Sequence, residues 1–215
     1  MFRKTLLVAL VSGAMVSGVQ AAGVQANGYL FGSVGQSDAE KPGLVKDLDA
    51  GLQVDIANGW QGSSSFDDTD TAFKVGAGVQ LNSYVGVELQ YIDLGEIAYK
   101  LSETNGANAL DYKMSAGTKG YGGNVVGTLP LDQFKLFGKV GYHKLKTKVK
   151  QDISVTGVGQ VKGSDSANEW VTSYGIGASF AFTPQVELVA EYERYRDVAD
   201  EYDVDFASIG LRYNF

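Results

Sequence analysis

Eight stretches of this chain alternate, residue by residue, between apolar and polar or small side chains. That period of two restricts the fold more than any other feature. The last stretch spells it most clearly: Ile209, Leu211, Tyr213 and Phe215 are apolar, while Ser208, Gly210, Arg212 and Asn214 between them are polar or small. Side chains of a β-strand point alternately to opposite faces, so the pattern makes a ribbon with one greasy and one wet side. The greasy side continues to an aromatic at the final position, where strands of water-soluble sheets usually fray.

The alternation predicts strands near 28–36, 71–81, 84–94, 117–131, 134–146, 170–182, 185–196 and 204–215. Three joints are minimal, at Asn82-Ser83, Asp132-Gln133 and Thr183-Pro184. The other four, near 37–70, 95–116, 147–169 and 197–203, are longer. Tight and long connections alternate strictly, which puts every tight turn at one end of the sheet. An even number of antiparallel strands with short turns inside and long loops outside is the layout of a membrane barrel. The expected fold is all-β: an eight-stranded antiparallel up-and-down transmembrane β-barrel.

The start of the chain agrees. Met1-Phe2-Arg3-Lys4 precedes an apolar run from Leu6 to about Val16, followed by small residues around Val19-Gln20-Ala21. Basic, greasy and small in that order make a secretory signal peptide. Residues 1–21 are expected to be that leader and 22–215 the barrel. Losing Arg3 and Lys4 takes the formal net charge from −7 to −9. So acidic an exported chain would repel nucleic-acid phosphates. Cysteine is absent, so the core or the surrounding solvent, not a disulfide, must hold the fold. After the leader no run of 18 apolar residues occurs, which excludes a bundle of membrane helices. Abundant Gly (28) and Tyr (12) beside scarce Pro (3) suit close-packed sheet with aromatic girdles.

Cost decides which face meets lipid. A cation on the lipid side near mid-membrane costs about 2–4 kcal/mol. The face of Val75, Val87, Leu89, Val140, Ile176 and Leu188 must then point outward, and Lys74, Glu88, Lys139, Glu187, Glu191, Glu193 and Arg212 inward. First-strand parity stays ambiguous, since Leu30 and Val34 compete with Tyr29 and Phe31. Phe134 and Tyr142, like Phe182 and Tyr174, lie eight residues apart on one face. At about 3.3 Å per residue and roughly 40° of tilt that is a height of about 20 Å, close to an apolar band about 25 Å tall. An eight-stranded barrel is just wide enough for side chains to fill it. Buried charges must be paired, so three cations and four carboxylates should form a near-neutral plug. A narrow ion path along the same residues is the alternative.

Tyr84-Val85-Gly86-Val87-Glu88-Leu89-Gln90-Tyr91 after an Asn turn resembles the eight-stranded transmembrane domain of OmpA-type outer-membrane proteins. So do Leu136-Phe137-Gly138-Lys139-Val140-Gly141-Tyr142, Thr183-Pro184 leading to Glu191-Tyr192, and the closing Gly210-Leu211-Arg212-Tyr213-Asn214-Phe215. The likeness covers the strands from about residue 71, is weak on the first strand and omits the long loops. Ser208, Gly210, Tyr213 and Phe215 look like the signal read by the barrel assembly machinery. The resemblance implies a monomer in the outer membrane of a Gram-negative cell envelope, touching outer-membrane lipids and lipopolysaccharide. OmpA itself has a periplasmic peptidoglycan-binding domain after its barrel, whereas this chain stops at Phe215. Cell-wall tethering is therefore not expected, and the architecture is closer to small stand-alone barrels such as OmpX.

Some barrels of this size modify the acyl chains of lipid A, which needs a nucleophile activated by an oriented base. His143 is the single histidine, and Lys144-Leu145-Lys146 follows it with no serine nearby on that strand. A serine from another strand stays open. The expectation is an ordinary lumen residue near the outer rim, in a protein that is not an enzyme. Asp67, Asp68, Asp70 and the group Asp197, Asp200, Glu201, Asp203, Asp205 do not match a calcium loop and read as solvated. Gly120-Tyr121-Gly122-Gly123 lies in a strand pattern, where glycine permits close packing. No metal or other cofactor is expected. Lys144, Lys146, Lys148 and Lys150 alternate on the outward parity of Tyr142, a basic stripe suited to lipopolysaccharide phosphates or to plain solvation. The expected function is structural or interactive, through long extracellular loops. A narrow porin-like diffusion channel comes second, and a lipid A acyl-modifying enzyme third.

Overall fold

A computed structural model describes residues 27–215. Along the chain run β1 (Asn27–Ala39), α1 (Gly43–Ala57), β2 (Gln61–Asp67), β3 (Thr69–Gln80) and β4 (Val85–Asn105). Then come β5 (Asn108–Leu131), β6 (Phe134–Val155), β7 (Gly159–Ala181), β8 (Val186–Val198) and β9 (Tyr202–Asn214). Eight of these strands close a ring in the order β1, β3, β4, β5, β6, β7, β8, β9, and β9 pairs back onto β1. Each sequential neighbour is antiparallel, so the expected up-and-down barrel is the fold. The leader at 1–21 lies outside the described residues.

The three tight turns form where their residues predict. The Asn82 side chain accepts the backbone N–H groups of Tyr84 (2.8 Å) and Val85 (2.9 Å), closing an Asx-type turn. Thr183 Oγ1 accepts the N–H of Val186 at 3.0 Å. Asp132 takes a φ of 61°, a left-handed conformation that Asp tolerates better than most residues.

The long connections depart from expectation. Stretches 95–116 and 147–169 are not loops but continued ladder: β4 and β5 pair out to Asn105 and Asn108, and β6 and β7 out to Val155 and Gly159. Beyond the membrane there is no lipid to demand apolar side chains. From Gly159 to Glu169 both faces of β7 are therefore mostly polar and the hydropathy signal vanishes while the pairing persists. Stretch 37–70 contains α1 and β2, and β2 pairs with the outer part of β4. No side chain caps the start of α1. The helix is held by packing Val45 and Leu52 against Tyr99, Leu101 and Met114.

Inside and outside separate as charge cost requires. Leu89, Val140 and Ile176 are 73%, 63% and 70% exposed, which in a water-soluble protein would make a large unprotected apolar surface. On β1, Tyr29, Phe31 and Ser33 are buried and Val34 is exposed, which resolves the ambiguous parity. Inward glycines admit the larger residues opposite them. A Cβ on Gly122 would fall 2.3 Å from the His143 ring, and one on Gly76 would fall 2.5 Å from the Phe31 ring.

Candidate functional site: the sealed lumen and the outer belt

Every charged residue expected in the lumen is there, and their pairing is now explicit. Lys139 lies 2.8 Å from Glu88 and 2.7 Å from Glu191. Lys74 binds Glu191 at 2.8 Å and also pairs with Glu193. Arg212 reaches Glu88 at 3.2 Å and Glu187 at 3.8 Å, and its guanidinium rests on the Tyr29 ring at 4.4 Å. The Tyr29 hydroxyl donates to Glu88 at 2.8 Å. Glu187 further accepts from Ser179 (2.8 Å) and Asn214 (2.9 Å). Sharing each cation between two carboxylates compensates charges that would be costly to bury alone.

One member was missed. Lys135 pairs with Glu187, which brings the network to four cations and four carboxylates. Its parity, with Phe134 and Leu136 outward, placed it inside, so the signal was present in the sequence.

Above the charges sits a neutral polar layer. Gln90 donates to the Tyr195 hydroxyl at 3.0 Å and lies 3.1 Å from His143 Nε2; Ser173 Oγ lies 3.2 Å from His143 Nδ1. His143 is fully buried. Expected near the outer rim, it is instead covered by an apolar layer that includes Ile92, Leu145, Val171 and Phe206. The serine that the sequence left open is thus Ser173 of the adjacent strand, sealed beneath the same layer.

Higher still, α1 lies across the inner side of the extended hairpins, and its cluster meets the lumen's apolar layer at Phe66 and Val149. Asp49 fixes it by accepting from Ser64 (2.6 Å), Tyr99 (2.8 Å) and Lys41 (2.9 Å). Burial pushes the Asp49 carboxyl up, but these three donors outweigh it and hold the group below the usual carboxylate range. Burial, together with the bond to Asp49, pushes the Tyr99 hydroxyl up to about 12.

The outer belt carries unlike charge on its two sides. On the β5–β6–β7 side, Lys144, Lys146, Lys148 and Lys150 point outward as expected, joined by Lys119 directly across from Lys146. Tyr142 and Trp170 stack below them, with centroids 4.9 Å apart and planes 9° from parallel. On the β8–β9 side the Arg194 guanidinium grips Asp205 through two 2.6 Å bonds, and Arg196 binds Asp203 at 2.9 Å. Among the described residues no cluster of His, Asp or Glu could hold a metal ion. At the opposite rim Tyr213 and Phe215 point outward in edge-on contact at 5.5 Å, while Ser208 and Gly210 take the inward parity.

An oil-facing ring of eight strands around a paired-charge interior defines a transmembrane β-barrel protein. Over residues 6–215 the chain matches the family described as outer membrane protein beta-barrel domain, and it belongs to that family of the outer membrane. It is 28% identical over 145 residues to Outer membrane protein A of Shigella dysenteriae, covering 64% of this chain and 38% of that one. The chain thus spans well under half the length of this relative. Among solved structures it is similar to the attachment invasion locus protein Ail of Yersinia pestis (18% identity, 88% of this chain and 98% of that one, TM-score 0.46). It is also similar to Neisserial surface protein A (15% identity, 88% and 99%, TM-score 0.48).

Proposed function

We propose that this protein is a closed, monomeric outer-membrane barrel that acts through its outer surface: the extended β4–β5 and β6–β7 hairpins and the helix α1 packed on them. The observation that carries the reading is the apolar layer of Ile92, Leu145, Val171 and Phe206, all nearly sealed from solvent, which closes the lumen above the charge network and its neutral polar layer. An ion crossing the lumen would have to displace two-carboxylate clamps on Lys74 and Lys139 and then pass a dry layer, both costly steps. The hairpins, by contrast, project as rigid ladder, a preorganised surface that loses little entropy on engaging a partner. The same layer argues against acyl transfer at His143, since Ser173 has no route to a lipid.

Planar-bilayer recording on refolded protein tests the reading. The expected record lacks steady conductance steps, and Leu145→Gly with Phe206→Gly introduces them by removing the dry layer. Steady openings in the unsubstituted protein would replace this reading by that of a narrow diffusion channel. Mass spectrometry of lipid A from cells with and without the gene should show identical acylation.

A further inference from the structure

We infer that the outward face of β5, β6 and β7 just above the aromatic girdle binds the phosphates of an outer-leaflet lipid headgroup, namely lipopolysaccharide. This deepens the outer-surface role proposed above and rests on it. Four alternating lysines on one strand are compatible with a merely solvated hairpin. The fold adds what a stripe alone lacks, because Lys119 from β5 stands directly opposite Lys146, and Lys144 stands between Tyr121 and Trp170. Like charges facing each other across a ladder destabilise it, a cost that a bound anion would remove.

Among the described residues, four of these five lysines have no ion-pair partner. On β7 the outward neighbours are Asn168, Ser166 and Ser164, which are uncharged. Asp93, across from Lys119 on β4, turns its carboxylate to the Gly95 N–H at 3.1 Å. The fifth, Lys150, lies 3.9 Å from Glu96, and both are well exposed. The other side of the belt is the reverse, with Arg194 and Arg196 saturated by Asp203 and Asp205. In a chain of net charge −7, Lys119, Lys144, Lys146 and Lys148, gathered on one side above the girdle without ion-pair partners among the described residues, form a site of complementary charge for phosphate.

The height fits as well. Trp and Tyr mark the membrane–water interface, here at Tyr142 and Trp170. Lys144 stands directly across from Trp170, and along β6 Lys144 and Lys146 lie about 5 and 10 Å above Tyr142 at about 2.5 Å of height per tilted residue. Lysine stems can bend to place their ammonium groups at the headgroups from either level.

The test uses the full mature chain refolded in phosphatidylcholine nanodiscs, with Trp60→Phe so that Trp170 reports alone. Titration with phosphorylated lipid A should give a saturable fluorescence change that weakens as salt rises. Lys119→Gln, Lys144→Gln and Lys146→Gln combined should weaken it on the order of a hundredfold. Lys113→Gln with Lys162→Gln, outward lysines far from the girdle, should change it less than about twofold. Heat-modifiable gel mobility confirms that each variant is folded. Equal binding of dephosphorylated lipid A, or less than about a threefold loss in the triple variant, overturns the site. Competition by a soluble sulfated polysaccharide at the affinity of the lipid overturns the lipid as its ligand. Failure here with no conductance leaves the closed-barrel reading standing, whereas conductance in the unsubstituted protein removes that reading itself.

Discussion

Lys139 and Glu88 meet at 2.8 Å in the middle of the barrel, and both side chains are almost wholly sealed from solvent. Lys139 also holds Glu191, so Lys139→Met would leave Glu88 to Arg212 and Glu191 to Lys74 alone, with one buried carboxylate charge uncompensated in the network. Breaking such a pair costs about 3–5 kcal/mol, and urea unfolding from phosphatidylcholine vesicles should show a loss of that size. Adding Glu88→Gln removes one carboxylate charge, and the double variant should recover part of the loss. A double variant no more stable than Lys139→Met alone would show that the two residues are not coupled.

One residue further along β6 the opposite rule applies. Val140 faces lipid, and Val140→Arg should cost about 2–4 kcal/mol because its charge enters hydrocarbon. Val161 is equally apolar and equally exposed, at 66%, but lies on the extended part of β7. Val161→Arg should therefore stay within about 0.5 kcal/mol. Equal losses in the two variants, measured by folding into vesicles, would put the membrane boundary in the wrong place.

The barrel was legible because lipid on one side and packed charge on the other force a period of two, which pure hydropathy can see. Where that pressure stops, so does the signal. The alternation of Lys144 to Lys150 still marks a continuing strand, but the mixed polar residues from Gln151 to Glu169 read as a loop although the ladder of β6 and β7 runs through them. α1 was illegible for another reason: Gly43-Leu44-Val45-Lys46-Asp47 has no capping side chain, and the helix exists because Tyr99 and Met114, far away in sequence, supply its buried face. The charged lumen residues could be named from parity, but their partners follow from the stagger between strands, which sequence alone does not set. Lys74 and Glu193, for example, are 119 residues apart.

The docking of α1 should depend on pH in a bounded window. Asp49 has a folded pKa below its unfolded value. Its contribution is therefore complete above the ordinary Asp pKa of about 3.9 and is lost as pH falls through the lower folded value. Tyr99 is shifted the other way, to about 12. Its contribution is complete below the unfolded value of about 10 and disappears as pH rises through the folded one. Limited proteolysis of residues 43–57 should accordingly be slow from about pH 4 to pH 10 and accelerate outside that range. Asp49→Ala should raise cleavage across the whole range while leaving the barrel's gel mobility unchanged. A rate independent of both pH and Asp49 would exclude the hydrogen-bonded anchor as the holder of the helix.

Tyr213 and Phe215 allow stability and recognition to be separated. Both side chains point away from the barrel interior, half-exposed or more, and neither takes part in the lumen network. Phe215→Ala should then cost the assembled barrel only about 1 kcal/mol or less in vesicles, as for other outward positions. If the outward aromatics at this rim serve as the signal read by the assembly machinery, the same substitution should lower the amount of folded barrel in cells severalfold. Ile209→Ala, on the same face of β9 but outside that signal, provides the control. It should match Phe215→Ala in vesicles and leave cellular levels near normal. Parallel losses for both variants in cells would reduce Phe215 to an ordinary lipid-facing residue.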